Sequence, residues 1–405
     1  MSRLTLGSVL LLMGVGPAAA GSQGVAPAAG HYVFAWAGDV ANKGDDFLAV
    51  IDADPLSPSY ARLVTTVATD QPTIRVHHTE YTMPASGMLF ANDHFAGRTF
   101  IIDVRDALHP RVVTSFTDLA GYSHPHSYQR LPNGHVLATF QHLHHSASET
   151  HTARTGGLVE IDDEGRVIRA SSSADPAFPE ALLTPYGLVI LAEIDRVLST
   201  NSSMHDLEIM NGVTYQVWRL SDLKLLKTAY LDVGANHYGH ISPEEPRRGP
   251  DGSVFIQTLG CGIERVTAID TENPKSTLVH TFPGSFCGVP TLVGHYLIQS
   301  VRITHGLIAL DISDPTRPVE TSRLKFDDTF EPHWTGWDER TGRLVVTGYE
   351  EHRLFLVKLD QTTGALSLDE AFRDVDGKAG FSFDDRAWPH GWKGSANAHG
   401  AVFSR

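Results

Sequence analysis

Cysteine is scarce in this chain: Cys261 and Cys287 are its two copies in 405 residues. Two cysteines exclude a disulfide scaffold and a cysteine-based zinc or iron–sulfur centre. Positive charge is also short, with 32 Lys+Arg against 47 Asp+Glu and a net charge of −15. Without a basic face there is no footprint for a nucleic acid backbone. No run of 18 apolar residues follows the first segment, so no membrane span is expected. Long amphipathic helical patterns, a Gly-x-Ser-x-Gly elbow and a helical His-Glu-x-x-His pair are missing too. The glycine-rich spots Gly156-Gly157 and Gly260-Cys261-Gly262 lead into no helix, which leaves no phosphate cradle. Histidine, by contrast, is abundant: 22 copies beside 36 Gly and 22 Pro. That mixture reads as turn-rich β structure with something to coordinate.

The segment Met1–Ala20 carries one charge, Arg3, then an apolar run from Leu4 to Val15 and the small residues Ala18-Ala19-Ala20. It has the pattern of a signal peptide cleaved after Ala20. The expected organisation is a signal peptide over 1–20, a short linker over 21–30 and a single domain over 31–405. Export is then expected, to the periplasm if the source is bacterial and otherwise by secretion. An oxidising compartment permits a Cys261–Cys287 bond.

An apolar run ending in an acidic turn recurs along the chain. It appears as Leu48–Asp52, Phe100–Asp103, Leu158–Asp162, Val217–Asp222, Val266–Asp270, Leu307–Asp311 and Leu354–Asp360. Several copies are followed by a proline turn, as at Asp54-Pro55, His109-Pro110 and Asp314-Pro315. Asp bonds its own downstream backbone and Pro fixes φ, so these positions are hairpin turns. Seven units of about four short strands predict an all-β fold, a seven-bladed β-propeller. The first unit holds only three strands, and one is left over at the tail, Ala401-Val402-Phe403 with its approach. Pairing that C-terminal strand with the N-terminal blade would close the ring.

The segment that opens each unit becomes the strand beside the central channel. These segments contain His77-His78, His124-Pro125-His126, Pro185-Tyr186-Gly187, His237-Tyr238-Gly239-His240, Cys287-Gly288, Pro332-His333-Trp334 and Pro389-His390-Gly391. Five of the seven carry histidine at the blade period, so imidazoles far apart in sequence would converge on the axis. Neutral imidazoles aimed at one point suit copper, iron or zinc, with copper or iron favoured where carboxylates are absent. The run His142, His144, His145 and His151 reads as a solvated loop or an adventitious metal site. His94, His109, His135, His280, His295 and His352 share no register and are expected to be structural. The acidic turns Asp45-Asp46, Asp162-Asp163, Asp327-Asp328 and Asp384-Asp385 read as solvated turn acids, with calcium the other assignment.

Several stretches resemble the selenium-binding protein / methanethiol oxidase family. His77-His78-Thr79-Glu80-Tyr81 resembles its His-His pair followed by an aromatic. His126 ahead of Leu131-Pro132-Asn133-Gly134 resembles the family histidine before a Leu-Ala-Ser-Gly-type turn. Arg196–Thr200 is similar to its Val-Met-Ile-Ser-Thr run. His305-Gly306 with Asp311-Ile312-Ser313-Asp314-Pro315 resembles its His-Gly…Tyr-Asp-Ile-Ser-Asp-Pro stretch. Pro389-His390 falls where the family has its C-terminal Ala-His-Glu. The resemblance implies a copper-associated propeller with His77, His78, His126 and His390 as catalytic metal ligands. His333, His237 and His240 would then be supporting or proton-transfer groups at the metal, and Glu80 or Glu331 would move protons. It also implies oxidation of a small thiol, which for methanethiol gives formaldehyde, hydrogen sulfide and hydrogen peroxide. Two features depart from the family: its cysteine after the His pair is replaced by the stretch Thr82-Met83-Pro84, and the acid after the last histidine is Gly391. Two alternatives remain open, a four-His ferrous dioxygenase on the same architecture and an exported metal- or ligand-binding propeller without catalysis.

Overall fold

The computed structural model describes residues 30–143, 155–204, 212–232 and 241–405. In these residues each apolar run read above falls in, or at the end of, the third strand of an antiparallel sheet. The one at Gly157–Ile161 is buried at every position, as expected of a strand covered on both faces. Outer strands such as Arg111–Phe116 and Val319–Lys325 are half exposed. The acidic residue ending the third strand works as the sequence suggested. Asp52, Asp103, Asp162, Asp222, Asp311 and Asp360 each accept a backbone N–H two residues on, so the side chain itself closes the turn.

Seven such sheets form a ring, a β-propeller. Their innermost strands are Val76–Thr79, Tyr122–Arg130, Pro185–Leu191, Pro243–Arg248, Thr291–Val293, Pro332–Asp338 and Ala396–Phe403. Each touches the next, and Ala396–Phe403 lies between Pro332–Asp338 and Val76–Thr79. We number the blades in chain order, so that Tyr32–Asp39, Asp45–Asp52 and Leu63–Pro72 belong to blade 1. The C-terminal strand Ala396–Phe403 completes this blade by pairing with Tyr32–Asp39, from Val33↔Phe403 to Asp39↔Ala396. The closure is eight residues long, five more than the Ala401–Phe403 core seen in the sequence.

Between blades lie apolar clusters with few polar atoms. Trp36, Trp218 and Trp334 are fully buried, and each indole N–H finds an acceptor: Asn92 O, Ser199 Oγ and Ala401 O, at 2.8, 2.9 and 2.8 Å. Burying a large side chain contributes about 2–3 kcal/mol, and satisfying its N–H avoids losing that again. Trp334 thus ties blade 7 to the closing strand, and a buried His31 Nε2–Asp338 Oδ2 contact of 2.7 Å ties blade 7 to blade 1. Cys261 and Cys287 form a disulfide that links blade 5 to the start of blade 6. No helix of the described residues is long and apolar enough to cross a membrane.

Candidate metal centre

Six of the seven innermost strands carry an irregularity in pairing at the same level. Register slips between Val76 and Thr79, Pro125 and Tyr128, Pro185 and Leu188, Pro243 and Pro246, and Pro332 and Trp334. It slips once more opposite Ala35–Ala37, where His399 and Gly400 stand. A bulge adds a residue to one strand and re-aims its side chain. The residues so displaced are His77-His78, His126-Ser127, Tyr186-Gly187, Glu244-Glu245, His333 and His399-Gly400.

In blades 2 to 5 a polar residue on the second strand holds the bulge and passes the hold to the next blade. His78 N donates to Asn92 Oδ1 at 2.8 Å, and Asn92 Nδ2 donates to Pro125 O at 2.7 Å. Ser127 N donates to Thr139 Oγ1 at 2.9 Å, and that hydroxyl donates to Tyr186 O at 2.6 Å. Gly187 N donates to Thr200 Oγ1, which donates to Glu244 O. Gln257 accepts from Glu245 N and donates to Cys287 O at 2.7 Å. Bulges free backbone groups from the ladder, and buried groups of that kind need partners. This belt supplies them. Blade spacing at this level is so tight that a Cβ on Gly187 or Gly400 would stand 2.5 Å from Glu244 O or 2.4 Å from Thr79 N.

The bulges bring His77, His78 and His126 together, with one ligand atom from each lying within 4.8 Å of the others. His77 Nε2 and His126 Nε2 are 2.8 Å apart. His126 Nδ1 faces Tyr186 O at 3.1 Å, and since a carbonyl only accepts, Nδ1 bears the proton and Nε2 the lone pair. His78 Nε2 is buried without a hydrogen-bond partner. Around this triad lie His399, 4.3 Å from His77 between ring centroids, His333, 4.5 Å from His399, and His94, 5.2 Å from His126. Burial and the neighbouring imidazoles hold His77, His78 and His399 well below the usual imidazole range. Burial, then Arg302 and Arg75, holds His333 down to about 4. Neutral imidazoles whose nitrogens converge are what a transition-metal ion requires, so the donor set fits a metal ion, with the hydrogen that His77 Nε2 donates to His126 Nε2 displaced on binding.

The other side of the channel is different. Glu244 and Glu245 are 3% and 0% exposed. Glu245 accepts from Ser127 Oγ at 2.9 Å and faces Arg247 at 3.5 Å. Glu244 is hydrogen-bonded by Gln257 Nε2 at 3.0 Å, and burial pushes its carboxyl up to about 8, with Glu245 adding to the rise. A cavity of about 100 Å³ opens between the halves, lined by His77, His333 and His399 on one side and Tyr186, Glu244 and Cys287 on the other. Phe95, Phe286, Tyr349, Arg75 and Arg302 also line it.

The structure does not bring His390 to the cluster. It sits in the hairpin Arg386–Ala387/Lys393–Gly394, its Nδ1 2.8 Å from Thr66 Oγ1 on the outer strand of blade 1 and its ring against Phe47 and Trp392. The expectation for it is corrected because the strand that reaches the axis is the closing strand, and its histidine is His399. Both are followed by glycine. Gly391 has φ +94° and open space around it, a turn glycine, whereas Gly400 packs against blade 2. His94, expected to be structural, borders the triad. His237 and His240 lie outside the described residues, as do His144, His145 and His151. The described inner strand of blade 5 carries glutamates instead. Glu80 is bound to Arg130 and Glu331 to Arg302, so neither carboxylate is free. Asp162 and Asp327 serve their own turns. Among the described residues, the triad is the one group of three metal-competent side chains this close together.

No family model matches the chain. It is 28% identical to the methanethiol oxidase of a Hyphomicrobium species over 143 residues, 34% of this chain. The match spans about a third of that relative's length, 31%. Among solved structures, a hypothetical selenium-binding protein from Sulfolobus tokodaii superposes with a TM-score of 0.71 at 14% identity. That match covers 92% of this chain and 93% of the other. The periplasmic gluconolactonase PpgL of Pseudomonas aeruginosa superposes with a TM-score of 0.60 at 10% identity, over 93% and 99% of the two chains. At such identities the superpositions speak for the propeller fold, and the sequence match for a distant relation to the oxidase.

Proposed function

We propose that the chain is an exported, copper-dependent oxidase of a small thiol, converting thiol, dioxygen and water into an aldehyde, hydrogen sulfide and hydrogen peroxide. The observation that carries this reading is the buried His77–His78–His126 triad, whose ligand atoms lie within 4.8 Å of one another and whose His77 lines a small cavity. The distant likeness to a methanethiol oxidase supports the substrate class. Copper held there supplies affinity for a thiol as its thiolate and a route for electrons to dioxygen. The chain's own part is arrangement. His77, His78 and His126 offer the metal neutral nitrogens, with His399 and His333 beside them. Glu244, on the facing wall, keeps its proton at neutral pH and exchanges one with a bound substrate at its carboxyl oxygens. A cavity of about 100 Å³ admits a small thiol more readily than a long apolar chain, which favours this reading over a dioxygenase acting on extended substrates.

The test is metal analysis of exported, chelator-washed protein beside a His77→Ala/His126→Ala double variant, followed by oxygen consumption with methanethiol. Near-stoichiometric copper that the variant loses, with thiol-dependent oxygen uptake, is the expected result. Iron would move the reading to a dioxygenase. Copper without oxygen uptake would mark a metal carrier, and no retained metal would overturn every metal-based reading.

A further inference from the structure

One hydroxyl lies between two of the imidazoles and a buried carboxylate. Ser127 Oγ stands 2.9 Å from Glu245 Oε1, 3.0 Å from His126 Nδ1 and 3.3 Å from His78 Nδ1. A serine hydroxyl has a single proton. Glu245, facing Arg247, is an acceptor, so that proton belongs to Glu245 and the serine oxygen can only accept from the two rings. His78 Nδ1 also has Glu245 Oε1 at 3.8 Å, again an acceptor. Both rings therefore carry hydrogen on Nδ1 and leave Nε2 bare: that of His126 lies 2.8 Å from His77 Nε2, and that of His78 is buried without a hydrogen-bond partner.

We propose that Ser127 and Glu245, from blades 3 and 5, act as one positioning unit that fixes the tautomers of His78 and His126 and aims both Nε2 lone pairs at the metal position. The unit is not equally important to the two rings. His126 has a second acceptor for its Nδ1–H in Tyr186 O, so it keeps its tautomer when Ser127 is removed. His78 leans on Ser127 and Glu245 alone among the contacts of its Nδ1 given above. Outer partners of this kind change metal affinity by about 10- to 100-fold when removed. The inference rests on the metal site proposed above, but its first test does not.

That test is a long-range ¹H–¹⁵N correlation spectrum of the metal-free protein labelled at histidine. His78 and His126 are expected as Nδ1–H tautomers. Ser127→Ala should convert His78 to a mixture while leaving His126 unchanged, and Ser127→Thr should restore it. Glu245→Gln should affect His78 likewise, and thermal unfolding of each variant confirms that it is folded. An Nε2–H tautomer at His78 in the wild type, or a His78 signal indifferent to Ser127→Ala, overturns the proposal. Copper affinity, measured by competition with a chelator, then falls about tenfold or more in Ser127→Ala and recovers in Ser127→Thr. If the tautomers respond as expected but copper binds equally well without His77 and His126, the copper site fails and the positioning unit stands.

Discussion

The two halves of the channel are built on the same bulged strands yet carry opposite chemistry. Blades 7, 1, 2 and 3 present His333, His399, His77 with His78, and His126, while blades 4 and 5 present Tyr186, Glu244 and Glu245. On the imidazole side, burial drives protons off and leaves lone pairs for a cation. Facing it, burial holds a proton on Glu244. The same low-dielectric environment thus yields bases ready for a metal and an acid ready for proton exchange, because desolvation disfavours whichever form is charged. The bulge supplies the geometry on both sides, and residue type alone divides the roles.

The comparison breaks most sharply if the imidazole half is dispensable. His399→Ala is expected to weaken copper binding by about tenfold or more, whereas His390→Ala, in its distant hairpin, should leave it unchanged; chelator competition on the two variants decides. Equal effects would put the axis in the wrong place.

Acid should strain the imidazole half. A histidine lowered in the folded state binds its proton more readily when unfolded, so stability rises with pH between the folded and unfolded values. His333, lowered to about 4 from 6.5, contributes a loss as pH falls through that window, and His77, His78 and His399 act in the same direction. Metal-free protein should melt about 5 °C or more lower at pH 5 than at pH 7. Copper should reverse much of this, since it binds the folded chain.

Glu244 has the opposite sign. Its raised value means that the folded chain holds a proton the unfolded chain has lost, so stability falls as pH climbs from about 4.5 to about 8 and then levels off. Glu244→Gln should remove that decline, giving a melting temperature a few degrees above wild type at pH 9 and close to it at pH 4. A matching decline in both proteins would place the proton elsewhere.

The smallest effect tests the frame the halves share. Trp334→Phe removes one buried indole donor to Ala401 O. It is expected to destabilise by about 1–3 kcal/mol, read as a drop of a few degrees in melting temperature, with metal affinity retained.

Much of this was legible in the chain. The acidic residue at or just after the end of each third strand marked the blades, and in six of the seven it bonds its own downstream backbone, the exception being Asp270 of blade 5. His77, His78 and His126 were legible as well, since they lie on strands that open their blades in simple chain order. His390 misled because the ring does not close in that order. The hairpin holding His390 comes first in the sequence, and the innermost strand of blade 1 arrives last, bringing His399 in with it. A stricter use of the leftover tail strand would have pointed there: if Ala401–Phe403 closes the ring, the residues just before it, His399 and Gly400, are its opening segment. His94 carried no such signal, being placed by the turn after the second strand of blade 2.

By itself, the sequence determined the repeat, its turns and the period at which histidines return, because these depend on neighbours a few residues apart. Only the tertiary structure decided which histidines face the axis, which way their protons point, and that Glu244 faces them across the cavity. Those outcomes depend on bulges held from blade to blade by Asn92, Thr139, Thr200 and Gln257, and on the dry interior that the closed ring creates.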